Sequence, residues 1–358
     1  MLDGEAKTFD ALTFIKLANF LQITPTQLIN FYVSSVITRH KALLEPIEKK
    51  AFILNHIDLK SLKKAGFFSE ESDYNQIENR IKLFFGIDTL EQYHGLYSNQ
   101  VAFSTNSRRG TLDLSRAFWL KSAISIFRTI NNPNPFNRDR LLEIFPTLKN
   151  YSINIDKGLS QVAKDLFDVA VTMIYLPKLP GLNVRGATLS VAGKPCIVIT
   201  DASPFYPSLW FALVHELIHV LRDWEDFINQ QAHLSFDSDD DDFEHNEREN
   251  NANHYARQYL IADKYFETAA SHINDQFSVY ALARELNIHP SFIYSFYCWD
   301  NSPYNKKVYS KFRFQMPDIT GAIKNLITFS WNDNITLRSI EGICFLNKAW
   351  GSYADCLE

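Results

Sequence analysis

The sequence has few cysteines, no long apolar run and no surplus of positive charge, and each shortage removes a class of function. Its four cysteines (Cys196, Cys298, Cys344 and Cys356) are scattered, with no CxxC pair among them. That argues against a disulfide framework, a thiolate zinc knuckle and a dithiol redox motif. No stretch of 18 apolar residues occurs, so no membrane span is expected, and the opening MLDGEAKTFD is too acidic for a secretory signal. The expectation is a soluble protein of a reducing cytoplasm. Lysine and arginine total 36 against 41 acidic residues, a net charge of −5. A dedicated nucleic-acid binder is expected to be strongly basic.

What is present is apolar and aromatic. The 358 residues include 28 Phe, 16 Tyr and 6 Trp, which can bury far more surface than a disordered chain could. There is enough chain for two or three compact domains. Residues 1–95 carry apolar side chains at three- and four-residue spacing and read as helical. Residues 96–165 read as a helical connecting region broken by NNPNPFNRD. From 166 to 275 the character changes. VAVTMIYL (169–176) reads as a strand, and VRGATLSVAGKPCIVIT (184–200) as two strands around Ala192-Gly193-Lys194. In the last region, 276–358, KVYSKFRFQ reads as a strand. The fold class expected is α+β, mostly α.

One pattern occurs twice. KLANFLQITPTQLINFY (16–32) and ALARELNIHPSFIYSFY (281–297) align without a gap. Leu17, Ala18, Leu21, Ile23 and Pro25 match Leu282, Ala283, Leu286, Ile288 and Pro290. A small Ala where two helices touch, followed by a β-branched residue in the turn, is how a helix-turn-helix packs. A plain helical corner satisfies the same pattern. Neither second helix (PTQLINFY, PSFIYSFY) carries a Lys or Arg that could reach a base edge, so DNA as a partner has weak support.

The segment richest in chemistry is His215-Glu216-Leu217-Ile218-His219. Two histidines at i and i+4 project from one helix face and can converge on one ion. The glutamate between them is placed to reach a water on that ion and act as general base. From Leu209 to Leu221 every other residue is apolar. A helix apolar all round is buried, and buried His and Glu are costly unless paired or bound to metal. Thirty residues on, Glu249 and Asn253 lie one turn apart. Glu249 completes a His2Glu set, and Asn253 can orient a ligand histidine. Glu244 and Glu247 lie nearby, but Ala252, Tyr255, Ala256 and Leu260 give the Glu249 helix a packing face. One zinc per chain is expected, or another divalent transition metal.

These residues resemble the ImmA/IrrE metallopeptidases, zinc-dependent proteins that cleave helix-turn-helix repressors. The family pattern runs through a Gly-Ala-Thr-like strand, a hairpin, HELGH and, about thirty residues later, E-x-x-A-N-x-F-A. Here the matching residues are Gly186-Ala187-Thr188, Phe211 to His219, and Glu249-Asn250-Asn251-Ala252-Asn253-His254-Tyr255-Ala256. AFWLKSA (117–123), YLPKLPGLNVRGAT (175–188) and LARELNIHPSFI (282–293) extend the likeness. Ile218, Tyr255 and Ala262 stand where the family has Gly, Phe and Pro, and none of these changes removes a ligand or the base.

The resemblance implies a zincin-like core, a cytoplasmic metalloendopeptidase, and a repressor or regulator protein as partner in a stress, mobile-element or toxin-antitoxin response. It implies ligands His215, His219 and Glu249, with Glu216 as base. An extended substrate is expected to pair with the strand around Arg185, Gly186, Ala187 and Thr188. An oxyanion stabiliser is also needed, with Tyr206, Arg222, His245 and Tyr255 as candidates. The competing readings are a DNA-binding or antitoxin-like regulator with a vestigial peptidase fold, and a stress or mobile-element switch whose catalysis is silent until a partner or excess metal arrives.

The segment from Asp223 to Glu249 holds eleven acidic residues against one arginine, so the mild acidity of the chain is local. Its run Asp239-Asp240-Asp241-Asp242 reads first as a solvated loop. The sharper reading is an acidic gate that favours basic substrates.

Overall fold

The computed structural model describes residues 10–96, 110–226, 232–236, 243–326 and 330–332. The acidic run at 239–242 and most of the C-terminal tail lie outside them. The chain divides into two compact units, up to His56 and from Ile57 onward. The break thus falls inside the region 1–95, and residues 57–95 fold with the second unit.

The first unit is helical: α1 (Ala11–Phe20), α2 (Pro25–Arg39) and α3 (Lys41–His56). Thr24 begins α2 with a reciprocal cap. Its hydroxyl oxygen accepts from the Gln27 backbone N–H, while the Gln27 side chain accepts from the Thr24 N–H. Its apolar side chains are largely left in solvent. Of residues 10–56 only Ala18 and Ile53 are buried.

The second unit begins with α4 (Leu59–Lys64), α5 (Tyr74–Phe85), α6 (Leu90–Gly95) and the long α7 (Gly110–Ile130). Here four phenylalanines gather into one cluster. Phe67, Phe84, Phe85 and Phe118 meet with ring centroids 4.8–6.2 Å apart, joined by Tyr93 and Trp331. Then come α8 (Arg138–Leu148), a short 3-10 turn and α9 (Gly158–Asp168).

A four-stranded sheet follows, built of β1 (Thr172–Tyr175), β2 (Val184–Val191), β3 (Lys194–Ile199) and β4 (Ala232–Phe236). Its order is β1-β3-β2-β4, parallel between β1 and β3 and antiparallel elsewhere. The hairpin β2–β3 turns where the sequence places it, with Ala192 and Gly193 both at positive φ (52° and 73°). Two such residues in a two-residue loop match the twist of antiparallel strands.

Across the sheet lies α10 (Tyr206–Arg222), flanked by α11 (Phe243–Leu260). Beyond them are α12 (Asp263–Ser271), α13 (Gln276–Glu285), α14 (Ser291–Asn301), α15 (Val308–Phe312) and α16 (Thr320–Ile323). The mixture is α+β and mostly α, as expected. Residues 276–326 add to the same hydrophobic core as α10, through Phe292, Ile293 and Phe312. KVYSKFRFQ is not a strand. Val308 and Phe312, one helical turn apart, are the buried pair, so the apolar spacing there fits a helix.

Candidate metal centre

Fourteen of the 17 residues of α10 are buried, including both histidines and the glutamate of the motif. Its N-terminus is set by Pro207, whose missing N–H costs nothing in a first turn. Its C-terminus is held by Arg138, which donates to the Leu221 carbonyl from Nε (3.1 Å) and Nη2 (2.6 Å). Helix α11 packs alongside through Ala252, Ala256 and Leu260, all at most 1% exposed. That face brings Glu249 to the histidines.

His215, His219 and Glu249 converge with all three ligand atoms within 4.8 Å of one another, the metal-capable group among the described residues. His219 Nε2 lies 3.1 Å from His215 Nε2 and 3.1 Å from Glu249 Oε1, and His215 Nε2 lies 3.2 Å from Glu249 Oε2. His219 Nδ1 is 2.8 Å from Asp223 Oδ2. A proton held on Nδ1 by Asp223 leaves the Nε2 lone pair directed into the cluster. Burial disfavours the imidazolium of His219, yet hydrogen bonds to Asp223 and Glu249 and the charge of Glu216 outweigh it and raise its pKa to about 9. Three carboxylates around two imidazoles create a demand for positive charge that a divalent cation meets.

Glu216 is fully buried. Its Oε2 accepts from the Thr188 hydroxyl at 2.8 Å, and its Oε1 has no hydrogen-bond partner among the described residues. A carboxylate buried with one free oxygen is expensive, and a reacting water or a nearby cation relieves that cost. Strand β2 makes room for it. A Cβ on Gly186 would stand 2.6 Å from Glu216 Oε1.

This geometry corrects the expectation for Arg185, Gly186, Ala187 and Thr188. Strand β2 is interior, hydrogen-bonded to β3 on one side and to β4 on the other, so it has no free edge for a substrate. Gly186 and Thr188, two residues apart and on one face, serve Glu216 instead. Arg185 sits at an irregularity in the β2–β4 register, and its carbonyl accepts from Thr200. Among the described residues, the outer strand on that side of the sheet is β4.

Asn253 does not orient a histidine. Asp223 does so from the C-terminal cap of α10, and the Asn253 Oδ1 is buried with no hydrogen-bond partner among the described residues. Tyr206 is also displaced from the chemistry. It begins α10, about 13 Å along the axis from His215, and its hydroxyl donates to the Ser152 carbonyl at 2.8 Å inside the core. Arg222 and Tyr255 pair with each other, the guanidinium 4.2 Å over the ring. The His245 side chain lies outside the described residues. Asp223 escapes the motif reading, although an acid four residues beyond the second histidine is a usable signal.

No protein-family model matches the chain, and no curated protein or solved structure does. No helix among the described residues is long and apolar enough to cross a membrane.

Proposed function

We propose that the protein is a metal-dependent endopeptidase with a zincin-like core, zinc being the preferred ion. The observation that carries this reading is the buried convergence of His215, His219 and Glu249 beside a carboxylate, Glu216, that keeps one oxygen free. Two imidazoles and a carboxylate form a donor set suited to catalytic zinc. A bound ion supplies Lewis acidity toward the scissile carbonyl.

The chain's own residues supply the rest. Glu216 accepts a proton from the attacking water and returns it to the leaving amine. Thr188 donates to Oε2 and so leaves Oε1 as the proton acceptor. Asp223 fixes the ring of His219. An extended substrate pairs with the outer edge of β4, beside the strand that seats Glu216. The substrate class follows the resemblance of the motif residues to the ImmA/IrrE peptidases: a helix-turn-helix repressor or regulator.

The test is metal content and cleavage of a repressor encoded by a neighbouring gene, in the wild type and in Glu216→Gln. The variant is expected to keep stoichiometric metal and lose at least about 100-fold in cleavage, the scale of general acid–base catalysis. Metal-free wild-type protein would sink the reading. DNA retardation that persists in Glu216→Gln, with no cleavage by the wild type, would favour the regulator reading instead. Gly186→Ala is expected to lower both cleavage and stability, the latter by about 1–3 kcal/mol, because its methyl displaces Oε1 of Glu216. Unchanged cleavage by that variant would show that Glu216 is not held in place by β2. Asp223→Ala is expected to weaken metal binding about 10–100-fold, measured by competition with a chromogenic chelator.

A further inference from the structure

A cavity of about 620 Å3 opens next to the metal centre. Three of its walls are the residues adjoining the chemistry. Phe211 is one turn before His215 on α10, with its ring 6.3 Å from the imidazole. Asn253 is one turn beyond Glu249 on α11, and Arg185 precedes the Gly186 that abuts Glu216. The rest of the lining sets aromatic rings, Phe205 from the loop before α10, Phe296 and Trp299 from α14 and Tyr309, among small serines. The volume lies in the range of about 300–1,000 Å3 spanned by ligand pockets.

We infer that this cavity receives a bulky aromatic side chain of the substrate, next to the bond at the metal. The inference rests on the peptidase reading of the centre and adds the substrate's side-chain class. Phe211 and Asn253, each one turn from a ligand residue, and Arg185, beside Gly186, line the cavity and place the occupant close to the scissile bond. The ring faces of Phe205, Phe211 and Phe296 favour aromatic over aliphatic packing. The charge of the lining does not select an acidic residue, because neither arginine is left without a partner. Arg185 is already engaged, and Arg257 is forked onto Asp300, at 2.7 and 2.6 Å, and lies 5.1 Å from the Phe296 ring centroid. Helix α14, the second helix of the repeated pattern, is thereby a wall of the substrate site.

The experiment uses full-length Glu216→Gln protein, which binds without turnover, and follows N-acetyl-tryptophanamide, N-acetyl-phenylalaninamide and N-acetyl-glutaminamide by ligand-observed NMR. Both aromatic amides are expected to bind at least about tenfold more tightly than the glutamine amide, the scale of burying one such ring. Ser295→Trp and Ala202→Trp fill the cavity from α14 and from the loop after β3. Each is expected to abolish the aromatic signal while keeping the far-UV spectrum and metal content. Equal binding of the three amides overturns the inference, as does aromatic binding undiminished in a folded filled variant. The amide comparison needs no filled variant, so it decides even if both misfold. Metal content is read separately. Its loss in the wild type would sink the peptidase reading and leave the aromatic selectivity standing, whereas intact metal without selectivity would sink only the pocket.

Discussion

The repeated pattern gives two segments, 16–32 and 281–297, with one backbone solution and opposite surroundings. Each leaves its first helix through a residue in the left-handed region, Gln22 at φ 55° and Asn287 at φ 53°. In each, the following isoleucine N–H returns to the alanine carbonyl, at 3.1 Å (Ile23 to Ala18) and 3.0 Å (Ile288 to Ala283). Both alanines are buried. The second helices then part company. Phe31 is 69% exposed, whereas its counterpart Phe296 is 7% exposed and lines the cavity beside the candidate metal centre. The shared residues encode the turn, and the residues between them encode what the second helix touches. Resemblance to a DNA-reading motif therefore says little about use: one copy has become a wall of that cavity.

The largest effect expected from this contrast comes from truncating the matched phenylalanines. Phe296→Ala should cost about 3–5 kcal/mol, the usual range for a buried aromatic, because its ring packs on Phe211 and Phe266 and under Arg257. Phe31→Ala should stay within about 0.5 kcal/mol, as surface substitutions do. Hydrogen exchange of peptides from the two segments measures both. A cost at Phe31 comparable to that at Phe296 would break the comparison, by showing that the α2 face is covered in solution.

A smaller effect separates what the two copies share. Ala18→Leu and Ala283→Leu both push a branched side chain between touching helices, at about 1–3 kcal/mol each. The loss at Ala283 should spread through the second unit, since Ala283 belongs to its main core, and should reach the amides of α10. The loss at Ala18 should stay within residues 10–56, a separate compact unit. Exchange that quickens in α10 for Ala18→Leu would show that the two units unfold together.

Sequence reached the metal-capable group because helical spacing is rigid: i and i+4 on α10 fix His215 against His219, and the alanine face of α11 fixes Glu249. The hairpin was legible for a similar reason, since Ala192-Gly193 permits the positive φ that the turn demands. What sequence did not give depends on long-range pairing. That β2 is interior follows only from β4, which returns more than forty residues later to cover its edge. The division after His56, instead of near residue 95, rests on where Phe67, Phe84 and Phe85 find their partners, and periodicity carries no partner information. Asn253 and Asp223 each lie one turn from a candidate ligand; spacing alone pointed to Asn253, and only the fold shows that Asp223 faces the ring.

The smallest effect tests the shared turn itself. A residue with a Cβ in the left-handed region costs about 1 kcal/mol relative to glycine, less for asparagine, whose short polar side chain tolerates it. Glycine also loses more backbone freedom on folding, which offsets part of any gain. Gln22→Gly should therefore stabilise its segment by a few tenths of a kcal/mol up to about 1 kcal/mol, and Asn287→Gly by less. The difference follows from residue type alone, because the two φ angles agree within 2°. Exchange protection of the Ile23 and Ile288 amides, whose hydrogen bonds close the two turns, reads the effect where it originates. If Asn287→Gly gained more than Gln22→Gly, packing around the buried copy would be straining its turn, and the two copies would no longer share one backbone solution.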